Sequence, residues 1–143
     1  MLRGFCQENE YEIDEPIGDD SRPEINKIRV ATSQSEFCIK PRSAKTLIQV
    51  LNKGLFQGDP VTKVVLKPLT GRRHQLRVHS HSIGHRIVGD FTYSNGQDDK
   101  TERMYLHAYR LSLPTNLEGT VLNIDLRRTL SIKAESIKKF AAN

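Results

Sequence analysis

The stretch TGRRHQLRVHSHSIGHRIVGD, Thr70–Asp90, holds four of the chain's five histidines and four arginines, with Asp90 as its one acid. Its first half reads as a helix over Arg73 to Ile83. Leu76, Ser80 and Ile83 fall on an inner stripe, and His74, Arg77 and His81 project from another face. Gly84 is placed to stop that helix in the left-handed conformation. Strand-like segments surround it. KIRVATS (27–33), AKTLIQVL (44–51), VTKVVLKPL (61–69), LHAYRLSLP (106–114) and TVLNIDL (120–126) are rich in β-branched residues, with SRPE, KPRS and GDP as loops between them. Tyr11 to Gly18 is a further short strand that Pro16 confines to a sheet edge or end. SNGQDDKTE (94–102) reads as a polar loop, and SIKAESIKKFAAN sets Ile132, Ile137 and Phe140 among lysines as a final amphipathic helix. The expected fold is α+β: a mixed, mainly antiparallel β-sheet with helices packed on it. The expected organisation is an acidic N-terminal segment with a short edge strand (1–26), a main body (27–130) and the C-terminal helix (131–143).

Length and composition bound the function. A chain of 143 residues suits one domain with a real core. No apolar stretch approaches the roughly 20 residues that a membrane-crossing helix needs. The opening MLRGFCQENE turns acidic too early for a secretory signal or transit peptide. Cys6 and Cys38 match no metal or disulfide pattern and read as reduced thiols, so an intracellular protein is expected, with cytoplasm, nucleus and mitochondrion left open. The net charge of +5 hides an asymmetry: residues 1–24 carry eight acids against two arginines, leaving twenty basic and nine acidic residues, a net of +11, in 25–143. Such an excess suits an anionic partner, nucleic acid being the commonest, or simply a solvated basic surface.

Three chemistries compete for the basic stretch. A metal would need carboxylate or thiolate ligands at suitable spacing, and His79, His81 and His85 stand instead among arginines that repel a cation, so no metal site is expected. A Ser–His–acid relay needs a positioned nucleophile and an orienting acid, and Ser80 and Ser82 have no such setting. A polyanion needs only what is present: arginine forks that match phosphate oxygens, and a helix start near Arg72 that offers backbone N–H groups. One or two of the arginines are expected to pair within the fold.

The same residues carry a resemblance. LKPLTGRRHQLRVHSHSIGHRIVGDFTY, followed by RMYLHAYRLSLP, resembles the C-terminal half of the RluA-type pseudouridine synthases, whose pattern runs TGRxHQxRVH, GHPxxGDxxY and LHAxxL. Pro16-Ile17-Gly18 and Ser43-Ala44-Lys45-Thr46 fit upstream positions of that family, and GDPVTKVVLKPLTGR is most similar to its eukaryotic members known as RNA pseudouridylate synthase domain-containing proteins. The resemblance spans about residues 2 to 126. It implies half of the pseudouridine synthase catalytic fold, and an enzyme class that isomerises uridine to pseudouridine in rRNA or tRNA with no cofactor. The target base is flipped into a pocket and a catalytic aspartate does the chemistry. By the same matching, Arg77 is the arginine that ion-pairs with that aspartate, and His74 and Gln75 shape the wall beside it. Arg72, Arg73, His79, His81, His85 and Arg86 are expected to face RNA, with bracing of the loop open to Arg72 and Arg73. Tyr93 and His107 are expected to be structural, and Asp90 to brace a turn rather than act as nucleophile.

The departures matter as much. The family's aspartate lies in an HRLDxxTSG-like segment followed by a YxA strand, and neither occurs in this sequence. Leu2-Arg3-Gly4 resembles the tail of that strand, so both motifs are expected upstream of Met1. The chain therefore reads as the RNA-binding portion of a synthase, inactive alone. The alternative is a non-catalytic RNA-binding module, and a plain interaction domain that self-associates through an exposed sheet edge is a third reading. Arg73 stands where the family has Thr or Ser, Arg86 where it has Pro, and Ser94 where it has Gly.

Overall fold

The structure is a computed structural model that describes residues 1–23, 29–108, 110–114 and 121–125. The chain divides into two compact units, Met1–Tyr105 and Leu106–Asn143.

The first unit is organised around one long hairpin. Strand β6 (Lys45–Phe56) turns through Gln57 and Gly58 into β7 (Asp59–Pro68), with Phe56 opposite Asp59. Both turn residues have positive φ, 54° and 89°, which a two-residue loop between right-twisted strands requires. The sequence expected the two strands at 44–51 and 61–69, and both extend beyond those limits into the turn. Strands β1 (Leu2–Arg3) and β2 (Glu10–Asp14) flank the hairpin, giving a four-stranded sheet of order β1-β7-β6-β2. The strand expected over Tyr11 to Gly18 is instead broken at Glu15-Pro16: its first part is β2, an edge strand, and Ile17 and Gly18 open the next strand, in another sheet. In β2, Glu12 and Asp14 face Lys45 of β6, and three acids along the strand discourage pairing with another edge.

A second sheet has β3 (Ile17–Asp20) between β4 (Val30–Thr32) and β5 (Cys38–Arg42). Gly18 belongs to β3 because nothing larger fits: a Cβ there would lie 2.2 Å from the Ile39 carbonyl oxygen. Every ladder among the described residues is antiparallel. Strands β1 to β3 draw residues 2–20 into both sheets, so the acidic segment is part of the fold's framework. In the second unit, β8 (Arg110–Pro114) pairs with β9 (Val121–Asp125), inside the expected 106–114 and 120–126. The expected helix at 131–143 lies outside the described residues.

Helix α1 (Gln75–Ser82) packs on β4, β6 and β7, and Gly84 follows it at φ 81°. Its inner face differs from the expected stripe. Gln75, Val78, His79 and Ser80 are buried, whereas Leu76 and Ile83 are only half-buried. Gln75 and His79 can hold that face because each finds partners, whereas the buried Ser80 hydroxyl meets none among the described residues. The Gln75 amide donates to the Lys45 carbonyl at 2.9 Å and to Thr46 Oγ1 at 3.0 Å, while its oxygen accepts from Thr70 Oγ1 at 2.7 Å and the Arg72 N–H at 3.0 Å. All four of its bonds join the loop before the helix to the start of β6.

His79 was expected to face RNA, and the structure corrects this: it is 0% exposed, so no phosphate can reach it. Its Nε2 lies 2.9 Å from the Glu15 carbonyl, which can only accept, so Nε2 carries the proton and Nδ1 accepts from the Thr46 hydroxyl at 2.8 Å. Burial lowers its pKa and keeps the ring neutral. A histidine whose folded pKa is depressed stabilises the fold above its unfolded pKa and loses that contribution as pH falls. Stability is thus expected to decline between about pH 7 and pH 5. His79→Ala should cost about 2–4 kcal/mol at neutral pH by leaving Thr46 and Glu15 unpaired around a cavity, and should flatten that slope. Urea unfolding of both proteins across this pH range measures the two effects together. An unchanged slope in the variant would rule His79 out as its source.

Candidate functional site

Beyond α1 the chain turns back at Gly89-Asp90 and brings an acid beneath the helix. Gly89 has φ 75°, and a Cβ there would lie 2.3 Å from the Arg103 carbonyl oxygen, so glycine is required for this approach. Asp90 is then buried at 1% exposure. Its Oδ1 accepts the Tyr93 N–H at 3.1 Å, bracing the turn as expected. Both carboxylate oxygens also receive Arg77, from Nε at 2.8 Å and Nη2 at 2.7 Å. This side-on fork raises the arginine's pKa further and matches the planar guanidinium to the planar carboxylate.

Tyr93 lies at the centre of the cluster, 1% exposed, with the Arg77 guanidinium 5.0 Å and the Arg29 guanidinium 4.8 Å from its ring centroid. Its hydroxyl accepts the Val30 N–H at 3.1 Å, fastening the cluster to β4. The His74 and His81 rings stand 6.0 and 5.9 Å from the same ring. His74 precedes α1 in the left-handed region, φ 53°, which turns its ring toward Arg77. Arg77 Nη1 lies 3.2 Å from His74 Nε2 and can only donate, so Nδ1 holds the histidine's proton. Burial, and then repulsion from Arg77, lower the His74 pKa and favour this neutral form.

The structure thus gathers Arg77, His74, His81, Asp90 and Tyr93. The other expected site residues are placed differently. Gln75 is buried at 3% exposure and spends its whole bonding capacity on the loop, so it holds the wall without presenting a group. Arg72 Nε donates to the Ser43 carbonyl at 3.0 Å, and Arg73 Nη2 to the Arg29 carbonyl at 2.9 Å. Both thereby brace neighbouring loops, with Arg73 exposed beyond its bond. His85 is half-buried and holds β1 through Nδ1 at 2.9 Å from the Arg3 carbonyl. Arg86 is half-buried beside it. His107 lies in the second unit. Sequence reasoning missed Arg29, whose one signal was a charge inside the β-branched run KIRVATS, and Asp90 as the partner of Arg77.

Arg77 is largely enclosed and Asp90 fully so, which makes the pair costly to break from one side. Asp90→Asn should destabilise the chain by about 3–5 kcal/mol, and adding Arg77→Met should recover part of the loss because no buried cation is then left bare. A double-mutant cycle by urea unfolding checks this. Additive effects of the two substitutions would show that the pair is not coupled.

A family profile described as RNA pseudouridylate synthase matches residues 3–82. The chain is similar to human RNA pseudouridylate synthase domain-containing protein 1, 46% identical over 120 residues, which cover 82% of this chain and 38% of that protein. It is 39% identical over 114 residues to the dual-specificity RNA pseudouridine synthase RluA of Vibrio parahaemolyticus serotype O3:K6, covering 76% of this chain and 42% of the relative. The solved structure of Human RNA Pseudouridylate Synthase Domain Containing 1 superimposes with a TM-score of 0.80 at 44% identity, over 87% of this chain and 50% of that one. The chain therefore spans less than half the length of the curated relatives it matches.

Proposed function

The chain belongs to the RNA pseudouridylate synthase family, and on that premise we propose that it supplies the arginine-bearing wall and an RNA-binding face of a site that isomerises uridine to pseudouridine in rRNA or tRNA. The observation that carries this reading is the way Arg77 is held. Of the five N–H groups of a guanidinium, Asp90 takes two and His74 one, so two remain. Asp90 occupies the Nε side, and the remaining N–H groups belong to the Nη1–Nη2 end. Two N–H groups are what a second carboxylate requires, and a neighbouring guanidinium keeps such a carboxylate ionised and oriented. Asp90 itself is spent on Arg77 and the Tyr93 amide, which supports its reading as a brace and not a nucleophile.

The HRLDxxTSG-like segment that carries the family's aspartate has no counterpart among these 143 residues, so the proposal includes inactivity of the chain alone. The basic excess outside the first 24 residues supports phosphate contacts as the main source of RNA affinity.

Incubating the 143-residue chain in excess over bulk tRNA and rRNA tests both halves of the proposal. No pseudouridine should form, while RNA should be retained at low salt and released as salt rises, with a log–log slope of about −3 or steeper if several phosphates are neutralised. Product above background would disprove inactivity. Absent retention at low salt would disprove the RNA-binding face.

A further inference from the structure

The turn after Asp90 carries a side chain that the Arg77 site does not use. Phe91 is 64% exposed, more than any other large hydrophobic side chain among the described residues. Yet it is held in place. Its N–H donates to the Gly89 carbonyl at 3.1 Å, and its carbonyl accepts the Gly96 N–H at 2.9 Å and the Ser94 hydroxyl at 3.1 Å. Ser94 stands where the family pattern has glycine, so the last of these bonds is an addition in this chain. Asn95 and Gly96, at φ 53° and 78°, curl the turn back beneath the ring, and a Cβ on Gly96 would lie 3.4 Å from Cε2 and Cζ of Phe91. The far edge of the ring thus rests on a glycine while the bulk of it faces water. On its inner side the turn is tied to the Arg77 site. Asp90 precedes Phe91 and forks Arg77, and Asn95 Oδ1 accepts from Arg29 Nη1 at 2.6 Å.

We propose that Phe91 is a stacking platform for an unpaired RNA base, the neighbour of the nucleotide that enters the Arg77 site. The inference rests on the RNA reading above. An apolar ring fixed in water gains most from a flat apolar face laid upon it, and every nucleobase has one. Extruding a base from a stem leaves its neighbour unstacked on one side, and a ring fixed beside the site replaces the missing partner.

Phosphate has less to gain at this corner. The loop 98–103 runs beside Gly89, whose N–H donates to Asp98 Oδ2 at 3.0 Å and whose Cα closely approaches the Arg103 carbonyl. The exposed charges of that loop, Asp99, Lys100, Glu102 and Arg103, cancel one another. A contact through Phe91 therefore adds affinity without releasing counterions, which separates it from the basic surface in a salt titration.

Two substitutions test this. Phe91→Leu keeps an apolar side chain without a π-face, whereas Phe91→Trp keeps the face and installs a reporter in a chain that has no other tryptophan. The emission of Phe91→Trp is titrated with single-stranded oligoadenylate. Retention of bulk tRNA and rRNA is then measured against salt for the chain and both variants, together with their melting temperatures. Oligoadenylate should quench the tryptophan by stacking on it. Phe91→Leu should bind RNA about tenfold more weakly with its salt slope and melting temperature unchanged, and Phe91→Trp should bind at least as tightly as the chain. Full RNA affinity in Phe91→Leu, or tryptophan emission indifferent to oligoadenylate, would overturn the platform. A loss accompanied by a salt slope shallower by about one would overturn it too, because the ring would then be supporting a phosphate contact. If the chain retains no bulk RNA, the RNA reading fails, and the oligoadenylate arm still decides the platform. Should Phe91→Leu fail to fold, the quenching and RNA affinity of Phe91→Trp decide alone.

Discussion

A guanidinium cannot be enclosed beside a helix without something to hold its charge, and in this fold that constraint falls on Arg77. The answer is the Asp90 fork, and much of the first unit is arranged to deliver it. Gly89 lets the chain pass against the Arg103 carbonyl, the turn places Asp90 beneath α1, and Asp90 in turn fixes Tyr93. Tyr93 then presents its ring to Arg29 and Arg77 and its hydroxyl to Val30 of the second sheet. One ion pair thus joins helix, turn and strand. Arginine is required at its head, since lysine could satisfy neither the fork nor the ring stacking.

The sequence made the long elements legible and the cross-links illegible. Strands β6 and β7 announce themselves through VTKVVL and KTLIQVL, and the basic stretch announces an anionic partner. Strand β5 was read as a loop because Lys40, Pro41 and Arg42 look like punctuation. Its strand character comes from its register with β3 and not from its own pattern. The buried face of α1 was misplaced for a related reason. Hydropathy ranks Gln75 and His79 as outward residues, but four hydrogen bonds to one and two to the other remove the cost of burying them. Asp90 was recognisable as a turn brace. That it also answers Arg77, thirteen residues earlier, depends on the fold-back at Gly89.

The departures from the family pattern now have positions. Arg73, in place of Thr or Ser, reaches across to the Arg29 carbonyl and so supports the strand carrying the second ring-stacked arginine. Arg86, in place of Pro, adds a donor where the backbone already bonds to β1 through its carbonyl and the Arg3 N–H at 2.8 Å. Ser94, in place of Gly, is 1% exposed and uses its hydroxyl to accept the Asp98 N–H at 3.0 Å. Arg73 and Ser94 each add a polar tether, whereas the Arg86 side chain buries an Nε that meets no acceptor among the described residues.

The Arg3–Asp98 fork joins positions 95 residues apart, whereas β6 and β7 meet across a turn of two residues. Closing the larger loop costs more chain entropy, so order should spread outward from the hairpin. On this view β1 docks late, and the tether from Arg3 acts mainly on how fast the native unit comes apart. A ratio of folding to equilibrium effects near one at Val61 and near zero at Arg3 is the kinetic signature of that sequence of events.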